Sequence, residues 1–325
     1  MIDSPLRFTP ILVPKVWGGT RLASLGKNIP GDEQIGESWE LADMPGDGQC
    51  SIVAEGHHAG TTLRELLNTN QTDIMGSVPL NAQDRFPLLI KFLDACENLS
   101  VQVHPDQQWA STHPDAYLKS EAWVVVDAAA GSRIWAGVVP GTTAASMHAA
   151  LDSDTLTEVL EWRDAIVGAS HNLPSGTCHA LGKGVLVAEV QTTSDTTFRL
   201  WDWGRQGRTM HVDEALACIN FDSPPPAEVP TPTIAADGTT DTILAETPWF
   251  IMRRLDAVQP ATAKFPLSNA PAIIMCLHGS AYATAAAGGT RLAAGTTLLL
   301  PAAMQEATLE LGEQCGLLVA IPRGI

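Results

Sequence analysis

Gln102 and His104 stand two residues apart in SVQVHPD, and Glu121 and His179 follow at a distance along the chain. An amide oxygen, two imidazoles and a carboxylate make the mixed N/O set that suits a catalytic divalent cation with an open position, Zn²⁺ or as readily cobalt or manganese. In an antiparallel barrel, ligands two apart on one strand and single ligands on neighbouring strands converge on a cavity. The spacing alone is weakly specific, because nine histidines and 36 acidic residues offer many such groupings.

The elements around these residues read as strands. From Phe86 to His104 two β-rich runs flank a turn at Ala95 to Asn98, and the alternation of Leu99, Val101 and Val103 with Ser100, Gln102 and His104 puts the polar three on one face. Residues 119–138 read as two strands around a turn at 130–132, with Lys119 two residues before Glu121 on the same face. A helical insertion is expected around 142–165, where Met147, Leu151, Leu156, Val159 and Leu160 are spaced apolar positions. Strands resume at LPSGTCHALGKGVLVAEVQ and TTFRLWDW, and residues 211–219 look like a short helix leaving the domain. Nearer the start, Thr61 or Thr62 can cap a covering helix beginning at Leu63.

The Pro-rich segment 223–240 suits neither a central strand nor a helix, which sets a boundary between residues 1–222 and 241–325. Beyond it, WFIMRRLDA, AIIMCLHGSAYATA, TRLAAGTTLLLPA and GLLVAI read as short strands of a small antiparallel sandwich or jelly roll. LPAAMQEATL in this part echoes LPSGTCHALG, with Glu306 where His179 stands and no Gln-x-His partner, so a second cupin-like barrel without metal is expected.

Composition narrows the function classes. With 45% hydrophobic and 17% charged residues, 22 prolines and 27 glycines, the chain suits many short strands and tight turns over long helical bundles. A formal charge of -17 disfavours nucleic acid as a partner, and it obliges any anionic substrate to find a local cationic pocket. No run approaches the roughly 18 apolar residues that span a bilayer, and MIDSPLRFTP carries no signal pattern, so the expectation is a cytoplasmic protein without a membrane partner. The six scattered cysteines are expected to be buried thiols.

LIKFLDACENLSVQVHPD, KSEAW, LPSGTCHALG and TTFRLWDWGR, in that order and preceded by PKVWGGTRL and IGESWE, resemble the type I mannose-6-phosphate isomerase family, in particular its short bacterial form. The resemblance runs to about residue 215 and is weak in the last third. It implies a mainly β fold of two cupin-like jelly-roll barrels with a small helical insertion in the first, and one Zn²⁺ per chain. It also implies interconversion of D-mannose 6-phosphate and D-fructose 6-phosphate through an enediol(ate). Carried over by motif, the metal ligands are Gln102, His104, Glu121 and His179. The catalytic residues are Arg199, Glu189 and Lys119, and the substrate-binding residues are Ser100, Lys119, Trp17, Asp195 and Arg199. Phe198 and Leu200 point away from Arg199 on a strand, so its permanent charge can face the site and stabilise an enediolate or hold phosphate.

For Arg199 an ion pair with Asp195 or Asp202 is the competing structural role, and for Glu189 an ordinary strand carboxylate near Lys183. Trp17 could line the pocket mouth or fill the core. One departure from longer members is Leu181, where they carry an aromatic. His113, in a second His-Pro-Asp, and the adjacent His57 and His58 read as loop residues, and Trp201 and Trp203 read as core or pocket cover. Two further readings stay open: a silent cupin that senses a sugar phosphate, and an isomerase for another phosphosugar or a free hexose. The sequence is compatible with either a monomer or a dimer.

Overall fold

Leu88, Ile90 and Phe92 alternate with Leu89, Lys91 and Leu93 in the strand Leu88–Ala95, and all of its residues are buried. A strand buried on both faces must be covered from both sides. In the computed structural model, which describes residues 1–31, 33–222, 233–234, 238–285 and 288–324, the first set joins a large apolar core and the second turns toward a cavity.

The strand lies within a six-stranded antiparallel sheet ordered Ser170–Leu173, Glu121–Ala128, Val185–Thr192, Leu88–Ala95, Ile35–Leu41, Ile11–Gly19. Pro14, which has no N–H for a ladder, falls on the edge strand. A five-stranded sheet faces it, ordered Phe198–Trp201, Val101–Val103, His179–Leu181, Arg133–Val138, Leu160–Asp164. Leu93, Val125 and Val187 from the first sheet meet Ile134, Ala136 and Leu181 from the second. The two sheets form a jelly-roll barrel of the cupin type.

The chain switches sheets at the two turns that the sequence marks. Leu88–Ala95 and Val101–Val103, on either side of the turn at 95–98, belong to opposite sheets, as do Glu121–Ala128 and Arg133–Val138 around 130–132. Residues close in sequence therefore reach the cavity from facing walls. The strand carrying Gln102 is shorter than its alternation suggests: Ser100 and His104 flank Val101–Val103, and Lys119 precedes the strand that starts at Glu121.

The second barrel pairs an eight-stranded sheet with a four-stranded one made of Ala261–Pro266, Glu306–Leu311, Ser280–Ala285 and Gly288–Ala293. Its interior is apolar, with Phe265, Leu292, Leu298, Leu309 and Leu317 at its centre. Leu6–Thr9 and Ile52–Val53 extend the eight-stranded sheet, so the beginning of the chain ties the two barrels together. Between them, Ile90, Phe92, Val124 and Val190 pack against Met252, Ile273, Met275 and Leu318. Helix Leu63–Met75 covers this core, started by a capping box in which Thr62 and Glu65 exchange hydrogen bonds. Most of the Pro-rich boundary segment, 223–232 and 235–237, lies outside the described residues.

Three local expectations are corrected. The insertion at 142–165 is helical only at Ala144–Asp152 and in a 3₁₀ turn at Leu156–Glu158, because Leu160–Asp164 pairs with Arg133–Val138 as an edge strand. The segment 211–219 forms helix Val212–Cys218, which does not leave the domain: Ala215 packs on Val101, Val103 and Leu200 over the outer face of the five-stranded sheet. The cysteines are not uniformly buried, since Cys96 is exposed and Cys50 and Cys218 are half-buried, and no disulfide joins any of the six. Among the described residues no helix is long and apolar enough to cross a membrane.

Candidate metal centre and active-site pocket

Strand pairing sets Arg199 opposite Gln102 on one side and His179 opposite Gln102 on the other, a lateral row across three strands. Glu121, the first residue of its strand, reaches the same point from the facing sheet. Its Oε1 lies 3.2 Å from His179 Nε2 and its Oε2 3.4 Å from His104 Nε2, and the amide of Gln102 is 3.3 Å from His179 Nε2. His104, Glu121 and His179 are all buried, with potential ligand atoms within 4.8 Å of one another. Among the described residues this is the one such cluster of His, Cys, Asp or Glu.

The ring orientations are set from behind. His104 Nδ1 faces the carbonyl of Thr196 at 2.9 Å and His179 Nδ1 that of Thr177 at 2.8 Å, so each donates from Nδ1 and turns a lone pair at Nε2 toward Glu121. Burial, aided by the charge of Lys119, pushes His104 down to about 3, so its imidazole is neutral. Burial works against ionised Glu121, but Lys119 Nζ, 3.0 Å from Oε2, together with His104 and His179 outweighs it and holds the carboxyl well below the usual range. The result is acceptor facing acceptor: His104 Nε2 and Glu121 Oε1 are buried without hydrogen-bond partners, and Glu121 Oε2 has the Lys119 ammonium on one side and the His104 lone pair on the other. Desolvated lone pairs converging this way are costly unless a cation sits among them, so the donor set fits a divalent metal. Gln102 fits it too, because its amide can turn its oxygen inward and leave the nitrogen to Ser100 Oγ, 3.3 Å from the other end.

A cavity of about 270 Å³ opens beside this point, and its lining includes Trp17, Ser100, Gln102, Lys119, Glu189, Asp195 and Arg199. Trp17 is both of the things expected of it, a cavity wall and a buried core residue. Asp195 stands exposed at the rim. Arg199 makes no ion pair with Asp195 or Asp202 among the described residues; its Nη1 donates to the Thr209 carbonyl at 2.7 Å and its Nε is buried without a partner. Asp202 is taken by Arg205 and Arg208. Glu189 does not meet Lys183, which pairs with Glu97 at the surface; it lies 3.2 Å from Lys91 Nζ and accepts a 2.7 Å hydrogen bond from Trp123 Nε1. Burial raises the Glu189 carboxyl against the pull of Lys91. Leu181 is buried among the core residues Leu99 and Ile134 and supplies no wall to the cavity.

Sequence reasoning passed over a charged network in the same wall. Lys91 bridges Glu189 and Glu37 (3.6 Å), Lys15 lies 3.1 Å from Glu37, and Trp39 Nε1 donates to Glu37 at 2.7 Å. Gly36 permits this approach, since a Cβ there would stand 2.6 Å from the Lys15 side chain and 2.7 Å from the Trp17 ring. The signal available was a lysine inside the continuous apolar run FPLLIKFL: an ionised group in a strand buried on both faces must meet a counter-charge.

Residues 6–128 match the model of the phosphomannose isomerase type I catalytic domain. The chain is 37% identical over 231 residues to the mannose-6-phosphate isomerase ManA of Bacillus subtilis, covering 69% of this chain and 71% of that one. It is 30% identical to the mannose-6-phosphate isomerase of Streptococcus mutans over 91% of this chain and 92% of the relative. The chain belongs to the type I phosphomannose isomerase family. The crystal structure of the mannose 6-phosphate isomerase from Bacillus subtilis superposes with a TM-score of 0.87 at 29% identity, covering 98% of this chain and 99% of that one. The likeness thus includes the second barrel, which the family's catalytic-domain model does not reach.

Proposed function

We propose that the chain is a mannose-6-phosphate isomerase that interconverts D-mannose 6-phosphate and D-fructose 6-phosphate through an enediol(ate), using one Zn²⁺ held by Gln102, His104, Glu121 and His179. The observation that carries the reading is the convergence of buried acceptors, turned toward one another from two facing sheets, beside a cavity with charged walls. A zinc ion bound there supplies positive charge to the sugar oxygens, where negative charge accumulates as the α-proton leaves.

The side chains divide the remaining tasks. Glu189, raised by burial, is suited to take the proton from one carbon and return it to the other, since a carboxyl poised nearer neutrality can act in both directions. Lys91 holds the carboxylate in place through an ion pair while Trp123 fixes its other oxygen. Arg199, next to the donor row, stabilises the enediolate with a charge that cannot be titrated away. Lys119 keeps Glu121 ionised, and with Ser100 it orients substrate and ligand amide. Trp17 and Asp195 line the cavity where the sugar enters. Residues 1–222 form the metal-binding unit and 241–325 the second barrel, joined by 223–240, in a cytoplasmic enzyme of mannose metabolism.

The test is a coupled assay of mannose 6-phosphate turnover before and after chelation, with metal quantified in the same samples. Activity lost with about one equivalent of zinc and restored on its return supports the reading. A metal-loaded protein that does not turn over mannose 6-phosphate points to a sugar-phosphate sensor or to an isomerase of another sugar.

A further inference from the structure

The fold brings two of the scattered cysteines together in the second barrel. Cys276 lies near the end of the strand Ala272–His278, and Cys315 opens the strand Cys315–Pro322 that pairs with it. Ile274 stands opposite Val319 and Cys276 opposite Leu317, so Cys315 is the next residue on the same inward face. The register shifts between Cys276 and His278, and the turn at Gly279 closes the gap. Gly279 has a left-handed φ of 73°, and a Cβ on it would stand 2.8 Å from the Cys315 Cα. Its carbonyl oxygen lies 3.7 Å from the Cys276 sulfur, and the Cys276 thiol donates a hydrogen bond to Cys315.

Small apolar side chains fill other inward positions of this core, as Ala281, Ala283 and Ala307 do, so packing alone does not call for sulfur at both places. The two thiols are also unlike. The hydrogen bond from Cys276, helped by the N–H groups of Gly312 and Ser280 and opposed by burial and by Asp256, holds the Cys315 thiol below its ordinary value. The same bond and burial push Cys276 up, so one sulfur is turned toward thiolate while its neighbour keeps a proton. Both residues are buried, yet each adjoins exposed turn residues, His278 and Gly279 after Cys276 and Glu313 and Gln314 before Cys315. One layer of turn separates the pair from water, and local opening of such a turn admits a molecule as small as hydrogen peroxide.

We propose that Cys276 and Cys315 are a peroxide-sensitive pair that closes reversibly to a disulfide and ties two strands at this end of the second barrel. Cys315, as thiolate, attacks one oxygen of hydrogen peroxide; the O–O bond breaks, and the departing hydroxide takes up the proton that the thiol released. The Cys276 sulfur then attacks the Cys315 sulfenic acid, and its own proton leaves with the sulfenic oxygen as a second water. Two thiols lose two electrons in all, and one peroxide is reduced to two waters. The tie adjoins a contact between the barrels. His278 Nδ1 donates to the Gln314 carbonyl at 2.8 Å, its Nε2 accepts from Arg254 at 3.4 Å, and Arg254 Nη1 donates to the Gly168 carbonyl of the first barrel at 3.4 Å. The pair uses no group of the metal cluster or its cavity, so it stands apart from the isomerase reading.

The full chain carrying Cys96→Ser, which removes the exposed thiol, is treated with hydrogen peroxide beside its Cys276→Ser and Cys315→Ser derivatives. Five of the six thiols remain in the first protein, and peroxide is expected to lower the number titrated in denaturant to three. The intact mass falls by two hydrogens, peptide mapping joins Cys276 to Cys315, and a dithiol reductant reverses both changes. The Cys276→Ser derivative stops at a Cys315 sulfenic acid that dimedone traps, and in the Cys315→Ser derivative Cys276 is oxidised about tenfold more slowly or less. If a serine derivative does not fold, the peptide map of the Cys96→Ser protein decides alone. A thiol count that stays at five, a disulfide mapped to other cysteines, or loss of two thiols undiminished in either derivative overturns the proposal.

Discussion

The two barrels use related turns to opposite ends. LPSGTCHALG and LPAAMQEATL each lead from a proline into a strand whose first residue is the fifth after that proline, His179 in one and Glu306 in the other. His179 points inward, is buried, and meets Glu121 from the facing sheet. Glu306 points out and pairs with Lys264 in water, both side chains being about half exposed or more. The interior that His179 enters holds lysines, carboxylates and two tryptophan N–H donors, whereas the corresponding interior of the second barrel is filled by Leu, Ala, Phe and Val. An antiparallel barrel of this size can be packed solid or left with a cavity, and the choice is made by a few inward positions. Stability in the second barrel comes from burial. The first gives up part of that to keep charges together in a small volume.

Substituting the two equivalent residues breaks the comparison hardest. His179→Ala is expected to lose bound metal and to lower kcat/KM by about a thousandfold or more, since ligand and cation go together, while Glu306→Ala keeps metal content and rate; elemental analysis alongside the assay reads both. Glu189→Gln is expected to reduce kcat by about 10²–10⁴-fold with metal retained. If metal leaves as well, Glu189 belongs to the metal site and not to proton transfer.

Stability sharpens the same contrast. Lys91→Met leaves Glu37 and Glu189 facing each other without their shared cation, and a loss of about 3–5 kcal/mol is expected in denaturant unfolding. Its counterpart Lys264→Met removes a solvent-exposed pair and is expected to change stability by less than about 1 kcal/mol. Comparable losses at the two sites would show that the buried network is no more than a surface feature in energetic terms.

Acid provides the smallest of the larger effects. Burial tends to raise the Glu37 carboxyl, but Lys91 and Lys15 outweigh it and hold it at about 2 against an ordinary 4.5. A depressed folded value means that Glu37 stabilises the fold fully above pH 4.5 and loses that contribution as pH falls toward 2. The contribution is on the order of 3 kcal/mol. Glu37→Gln is therefore expected to unfold more easily than the parent at pH 7, the gap closing as pH falls through that window. A gap independent of pH would assign the difference to packing alone.

Much of this was legible in the chain. The four donors Gln102, His104, Glu121 and His179 could be named because short motifs around them are distinctive, and the strand alternation at 99–104 pointed two of them, with Ser100, to one face. Lys91 and Glu37 stood inside the quoted motifs and were passed over, because a lysine in an apolar run says that a partner exists without saying which. For Glu189 the competing structural reading set it near Lys183 by proximity in sequence, yet the neighbour that matters lies across a strand pair, at Lys91. Leu160–Asp164 was read as helix because a short edge strand with few β-branched residues carries little local signal, and its pairing with Arg133–Val138 is not local at all.

The sequence by itself determined the class of fold, the covering helix from Leu63 and the chemical types in the candidate metal cluster, since these follow from local patterning and side-chain chemistry. Tertiary structure alone decided that the chain changes sheets at 95–98 and 130–132, so that donors close in sequence face one another across a cavity. It alone placed Leu6–Thr9 in the sheet of the other barrel, and gave Arg205 and Arg208 one shared carboxylate in Asp202 while the Arg199 side chain donates to the Thr209 carbonyl. The physical reason is common to these cases: burial and charge balance belong to groups brought together by long-range strand pairing, and no local window of sequence contains both partners.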